Sequence, residues 1–322
     1  MKEIESGQLM AEKQQYVSQI NNRPPIGKKL KKHWRLYVLI APAIIFFAIF
    51  NYFPMYGVII SFKDYVATKG IWGSSWVGFK HFERFFHAYN FWELIRNTFF
   101  INIYQLAMFP VSIIVALSIN EVRNSFFKKS VQTITYAPHF ISVVVMTGMI
   151  VAFLSPSTGI INKGISLLGF EPIAFLAEPG WFKTIFVQSG VWQGLGWSAI
   201  IYLAALAGVN PELHEAARVD GASRFQRIIH INIPAIIPVM VILLILDVGN
   251  LLSVGFEKIY LLQNPLNMEA SDVIQTYVYR AGLLEGQYSF SAAVGLFNSI
   301  VTLILLIIVN YIARRTTNNS LW

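Results

Sequence analysis

Cysteine is absent from the 322 residues, so disulfides and thiolate metal sites are unavailable. Charge is scarce: Asp, Glu, Lys and Arg together make up 13% of the chain, about half the share usual in soluble domains. The six histidines are scattered, and their spacing builds no metal cluster. Missing too is any GxxxxGK[ST] loop, so the chain has no phosphate cradle of its own. His214 and Glu215 begin an HExxH-like string, but Arg218 stands where the second histidine belongs. GLGWSA at 194–199 imitates a dinucleotide fingerprint without a preceding strand, and close helix packing explains its small residues better. No cofactor is called for.

What fills the chain instead is apolar: 55% of residues, with a mean hydropathy of +0.53. Six runs, at 36–62, 97–120, 131–154, 184–209, 231–256 and 290–313, are long enough to cross a hydrocarbon core of roughly 30 Å as helix. They are continuous rather than alternating, which excludes barrel strands. The expected fold class is therefore all-α, a polytopic membrane protein with six transmembrane helices. The first run is too long and too aromatic for a cleaved signal peptide.

Basic residues set the expected orientation. Sixteen Lys or Arg against seven Asp or Glu fall on the side that holds both termini and the 210–230 segment, while the other side balances at nine and nine. The richer side is cytoplasmic by the positive-inside rule, in a multi-pass protein of the cell membrane. The basic excess thus marks topology and contact with lipid headgroups, and no nucleic-acid partner is needed. Residues 1–33 read as a cytoplasmic tail, 34–315 as the membrane domain and 316–322 as a short C-terminal tail. The aromatic-rich loop at 63–96 reads as an interfacial hairpin or short helix that packs on the bundle as a lid. Prolines 42, 54, 110, 138, 234 and 238 fall inside spans, where each frees a carbonyl and bends its helix.

One polar interruption stands out, residues 210–234, NPELHEAARVDGASRFQRIIHINIP. Asn210 followed by Pro211 is a helix start, with Glu212 and Glu215 near its positive end. The helix runs to Gly221, which can stop it in the left-handed conformation; Ser223 caps a second helix with Arg224 and Arg227. Ala216, Ala217 and Gly221 leave a smooth strip flanked by Glu215 and Arg218. The strip suits a knob entering a groove. A solvated surface helix with an ordinary Glu215–Arg218 pair, worth about 0.2–0.5 kcal/mol, accounts for the same residues equally well.

Glu215-Ala216-Ala217, three residues, Gly221, nine residues, Ile231, one residue, then Ile233-Pro234 resembles the EAA loop of ATP-binding-cassette importer permeases, EAA-x3-G-x9-I-x-LP. The one departure is Ile233 in place of leucine, a volume-conserving swap. FNYFPMYGVIISFKDY, WVGFKHFERFF, FEKIYLLQNP and the C-terminal YSFSAAVGLFNSIVTLILLIIVNYIARR extend the likeness from residue 34 onward, towards the carbohydrate-uptake branch of those permeases. The resemblance implies a type I importer permease fold in which 210–222 is a coupling helix seated in a cleft of a cytoplasmic ATPase. Glu215 would then make a polar contact with that ATPase, Ala216 and Ala217 would pack on it, Gly221 would form the turn, and Arg218 and Asp220 would complete the surface. It also implies the partners: a second permease subunit in a heterodimer, two ATPase subunits that hydrolyse the ATP, and an extracellular solute-binding lipoprotein that delivers a saccharide.

A sugar presents hydroxyls to amides and flat C–H faces to aromatic rings. Asn102, Tyr104 and Gln105 in the second span, with Trp192, Gln193 and Trp197 in the fourth, are the expected pathway residues. Asp247, the charge inside the fifth run, reads either as a pathway residue or as a structural group at a subunit interface. A permease for a non-sugar solute, a secondary transporter working without an ATPase and a membrane enzyme remain as other readings. The enzyme is disfavoured because its only carboxylate and histidine in the spans, Asp247 and His139, lie in separate helices.

Overall fold

The computed structural model describes residues 34–249 and 255–317. The tail at 1–33 lies outside them, as do residues 318–322 of the short C-terminal tail, whose first two threonines belong to the last helix. The chain divides into two compact units after Val58. Most of the first long helix, α1 (Trp34–Phe62), belongs to the first unit. A π-helical stretch, Ala48–Tyr52, precedes Pro54. The missing proline N–H and the ring clash with the preceding turn account for that local widening.

In the second unit the end of α1 is followed by an antiparallel pair, β1 (Lys63–Asp64) and β2 (Ser75–Trp76), and then by α2 (Lys80–Phe86). Hairpin and helix are thus both present in the 63–96 loop. Phe62 stacks on Trp76 at 5.8 Å, and Phe85 is fully buried among Leu94, Ile274 and Phe290. The loop is a packed cover over part of the unit.

Helix α3 (Phe91–Asn120) is followed by α4 (Ser125–Phe140), α5 (Val143–Leu154), α6 (Ile160–Leu167) and α7 (Pro179–Ala207). After the polar interruption come α8 (Pro211–Val219), α9 (Arg224–Gly249), α10 (Phe256–Leu262), α11 (Ile274–Tyr279) and α12 (Tyr288–Thr317). Among the described residues α1, α3, α7, α9 and α12 are long and apolar enough to cross a membrane, and α4 with α5, taken together as one bent span, makes up to six.

That sixth span is where the expected continuous helix at 131–154 breaks, by 101°. Pro138 lies in a tight turn at Ala137–Phe140, Ile141 is extended, and the Ser142 side chain accepts from the backbone N–H of Val145 to start α5 afresh. A carbonyl exposed by the break, that of Ile141, accepts a hydrogen bond from Gln193 of α7 at 2.8 Å. The break therefore has an internal partner, as bilayer burial demands.

Two cores flank α7. Ile101, Met146, Ile150, Phe182, Phe186 and Ile259 form one; Ile113, Ala116, Ala199, Tyr202, Leu206 and Ile236 form the other. Helices α3, α7 and α9 meet in the second. In lipid such contacts rest on close packing more than on release of water.

Candidate functional site

The polar interruption folds as its local chemistry dictates. The Asn210 side chain accepts from the N–H of Glu212 at 3.0 Å and Pro211 occupies the first turn of α8. At the far end Gly221 has φ +77°, the N–H of Ala222 reaches the carbonyl of Ala217 at 2.8 Å, and that of Gly221 reaches Arg218 at 3.1 Å. This double closure satisfies the last carbonyls and turns the chain sharply. Ser223 and Gln226 then cap α9 reciprocally, at 2.7 and 3.3 Å.

No side chain of α8 is buried. Glu215 and Arg218 pair at 3.8 Å in the open, a contact of little energetic worth. Ala216 and Asp220 are exposed and Ala217 half-buried. Leu213, Val219 and Phe225 project apolar groups, Val219 being 89% exposed. Sequence reading passed over these three; their signal is apolar side chains on a short, otherwise polar helical hairpin. An isolated nine-residue helix is marginal in water, yet this one is capped at both ends and presented whole.

Between α3, α7 and α9 lies a cavity of about 480 Å³, within the roughly 300–1,000 Å³ common for small-molecule sites. Asn102, Gln105, Phe109 and Ser112 of α3 line it, with Gly190, Gly194, Ser198 and Tyr202 of α7 and Leu243 and Asp247 of α9. Glycines 190 and 194 with Ser198 recur every four residues, one helical face, and their lack of bulk leaves the space open. Phe109 and Tyr202 meet edge to face at 6.4 Å.

The expected pathway residues divide. Asn102 and Gln105 reach the cavity wall. Tyr104 turns away, its hydroxyl accepting from Gln188 at 2.9 Å. Gln193 holds the break between α4 and α5, and Trp197 stacks on His139 at 4.5 Å with the two rings nearly parallel. Trp192 is half-exposed and is not on the cavity wall. Within GLGWSA the small residues have two jobs: Gly194 opens the cavity, whereas Gly196 meets α4 backbone. Asp247 is on the cavity wall.

A second set of polar residues, also missed by sequence reading, ties down the loops beyond the helix ends. Asn162 makes four hydrogen bonds across residues 154–173, and Asn264 and Asn267 both donate to the carbonyl of Leu176. Asp272, 5% exposed, accepts from Arg280 at 2.5 Å and from Thr276 at 2.8 Å. Asn97 donates to the carbonyls of Glu269 and Asp272. Lys258 is buried with its ammonium 3.0 Å from the Phe186 carbonyl, and desolvation pulls its pKa down to about 8.

A predominantly helical polytopic chain with a partly polar cavity among its spans and a capped small-residue helix projecting between two of them has the type I importer permease fold. The family whose description is binding-protein-dependent transport system inner membrane component matches residues 108–318, and the chain belongs to it. It is 44% identical over 294 residues to Protein LplB of Bacillus subtilis (strain 168), covering 91% of this chain and 92% of that one. It is 46% identical over 288 residues to the polygalacturonan/rhamnogalacturonan transport system permease protein YteP of the same organism, covering 89% and 90%. Among solved structures, a chain of a bacterial alginate transporter, in complex with an alginate pentasaccharide-bound periplasmic protein, superposes with a TM-score of 0.86 at 41% identity. That match covers 92% of this chain and all of the other.

Proposed function

We propose that this chain is a membrane permease subunit of an ATP-driven importer for an oligosaccharide or polysaccharide, and that α8 is where a separate ATPase grips it. The single observation that carries the coupling role is the exposed, doubly capped α8, with Glu215, Ala216, Ala217, Arg218, Asp220 and Gly221 in the EAA arrangement. The saccharide is supported by the relatives named for pectic polymers and by the alginate transporter likeness.

The connectivity supports a lever. Helix α8 is joined to α7 through Gly208–Asn210 and to α9 through the Gly221 turn and the Ser223–Gln226 cap. Those same two helices supply the Gly190–Tyr202 and Leu243–Asp247 walls of the cavity. Force applied to α8 therefore reaches both walls at once. Tyr202, Leu206 and Ile236 pack α7 and α9 together, so they move as one body rather than separately. Asn102 and Gln105 offer amides to sugar hydroxyls, and Phe109 offers a ring to a sugar face.

In this reading both termini and α8 face the cytoplasm. The working assembly is a heterodimer of permeases with two ATPases and an extracellular solute-binding lipoprotein, and nucleotide chemistry stays on the ATPases. Replacing Glu215 or Gly221 with a bulky residue leaves the protein in the membrane but abolishes transport-coupled ATP hydrolysis, measured in reconstituted vesicles. Normal transport by both variants overturns the coupling role.

A further inference from the structure

Lys258 of α10 is 7% exposed, and its ammonium lies against α7. Its acceptor among the described residues is the Phe186 carbonyl at 3.0 Å, with the Phe186 ring centre 5.0 Å from the nitrogen. That carbonyl is already engaged within α7, where the N–H four residues on, that of Gly190, bonds back to it. An ammonium has three donors, so this contact neither satisfies the lysine nor is needed by the helix. A buried cation held in this way costs stability, as its pKa of about 8 records. Such a cost is tolerated where function needs the charge.

The charge opens on the cavity through a missing side chain. Gly190 is on the cavity wall, and beyond its own helix a Cβ there would meet within 4 Å only Lys258 Nζ, at 3.5 Å. The space over Gly190 is thus bordered by the ammonium, and a side chain at 190 would fill it. The carboxylate of the wall is elsewhere. Asp247 is near enough to Tyr202 to act on it electrostatically, and Tyr202 is twelve residues along α7 from Gly190, about 18 Å of helix rise. The cavity is therefore positive towards Gly190 and negative towards Tyr202, with the amides and hydroxyls of Asn102, Gln105, Ser112 and Ser198 along its wall.

A carboxylate brought to the Gly190 end meets a charged donor where little water screens it, and the attraction is stronger there than at a surface. A neutral sugar unit offers hydroxyls alone, which an ammonium binds less tightly. A uronate unit offers both, its carboxylate to the lysine and its hydroxyls to the amides.

Resting on the saccharide reading, we propose that Lys258 is the residue of this chain that selects acidic sugar units, its ammonium binding a uronate carboxylate across the gap at Gly190. Gly190 is the positioning residue that keeps the gap clear. The assignment agrees with the relatives, one of them named for polygalacturonan and another for alginate, an acidic polysaccharide.

The chain has no cysteine, and a Cβ at Gly194, also on the wall, would meet nothing within 4 Å beyond its own helix. Gly194→Cys therefore puts a thiol in the cavity one helical turn from Gly190 without a clash. It is introduced into the full chain, co-expressed with its partners, alone and with Lys258→Met or Lys258→Arg. Labelling rates at pH 7 are measured with a sulfonate thiosulfonate and with a trimethylammonium one of similar size, and their ratio cancels any change in the reactivity of the thiol itself. Lys258→Met lowers the anionic-to-cationic ratio roughly tenfold, and Lys258→Arg keeps it, which separates lost charge from misfolding. An oligogalacturonate slows the labelling at lower concentration than its fully methyl-esterified, neutral counterpart of equal length, and Lys258→Met erases that preference.

A ratio that Lys258→Met leaves unchanged overturns the proposal and leaves the saccharide reading intact. Equal protection by the acid and its ester, with Lys258 in place, does the same. Protection by neither overturns the proposal and the saccharide reading together. Failure of both reagents to label Gly194→Cys removes the wet cavity on which the proposal stands, and overturns it.

Discussion

Gly196 of α7 faces the carbonyl of Thr135 on α4 so closely that a Cβ at 196 would sit 2.1 Å from that oxygen. Backbone cannot retreat as a flexible side chain can, so even alanine forces the two helices apart. Gly196→Ala should cost about 1–3 kcal/mol through overpacking, and Gly196→Val should prevent stable folding. The Gln193–Ile141 hydrogen bond and the Trp197–His139 stack lie beside the same contact and are lost with it. Thermal aggregation of the detergent-solubilised chain checks this; an unshifted midpoint for Gly196→Val contradicts it.

The Asp272–Arg280 pair should be costly to halve and cheap to replace. Asp272 is 5% exposed against 30% for Arg280, so Arg280→Met strands a buried carboxylate and destabilises by about 3 kcal/mol. Adding Asp272→Asn restores most of that loss, because the Thr276 hydroxyl can still donate to the amide oxygen. A double-mutant cycle on thermal midpoints gives the answer; additive losses contradict the account.

Lys258 gives a pH signature. Its pKa is about 8 in the folded chain against an ordinary 10.5, so between those values the unfolded chain binds more protons and stability rises with pH. Below about pH 8 the folded state carries the whole desolvation cost. Above pH 10.5 that cost is gone. Lys258→Met should therefore be more stable at pH 7 by about 1–3 kcal/mol, after loss of the bond to the Phe186 carbonyl, and its advantage should shrink from pH 8 to 10.5. An advantage that stays flat across that window contradicts the assignment.

The spans were legible because lipid leaves a helix one simple demand, an uninterrupted apolar run. The run at 184–209 became Pro179–Ala207 and that at 290–313 became Tyr288–Thr317. The expected 210–222 element became Pro211–Val219 with Asn210 and Gly221 at its ends, since capping is local chemistry. The 101° break in the third span was not legible: Pro138 announces a bend but not its size, which depends on Gln193 of another helix.

The cavity was half legible for a related reason. Asn102 and Gln105 are on its wall, and the expected residues of α7 are not. Trp192, Gln193 and Trp197 drew notice by their chemistry, whereas the wall is the small-residue face of Gly190, Gly194 and Ser198. Which face of a nearly uniform apolar helix opens onto space is set by its neighbours, and no moment within the helix records it.

The account depends most on α8 being gripped by a motor, and Ala216 offers the most direct test because it is exposed and the chain has no competing thiol. Ala216→Cys, assembled with the ATPase that co-purifies with the chain and treated with a short thiol–amine cross-linker, should join the two subunits. Its labelling by a water-soluble maleimide should fall at least tenfold relative to the chain alone. Cross-linking that fails, with Ala216→Cys labelled equally fast in the assembly and in isolation, would contradict the central claim.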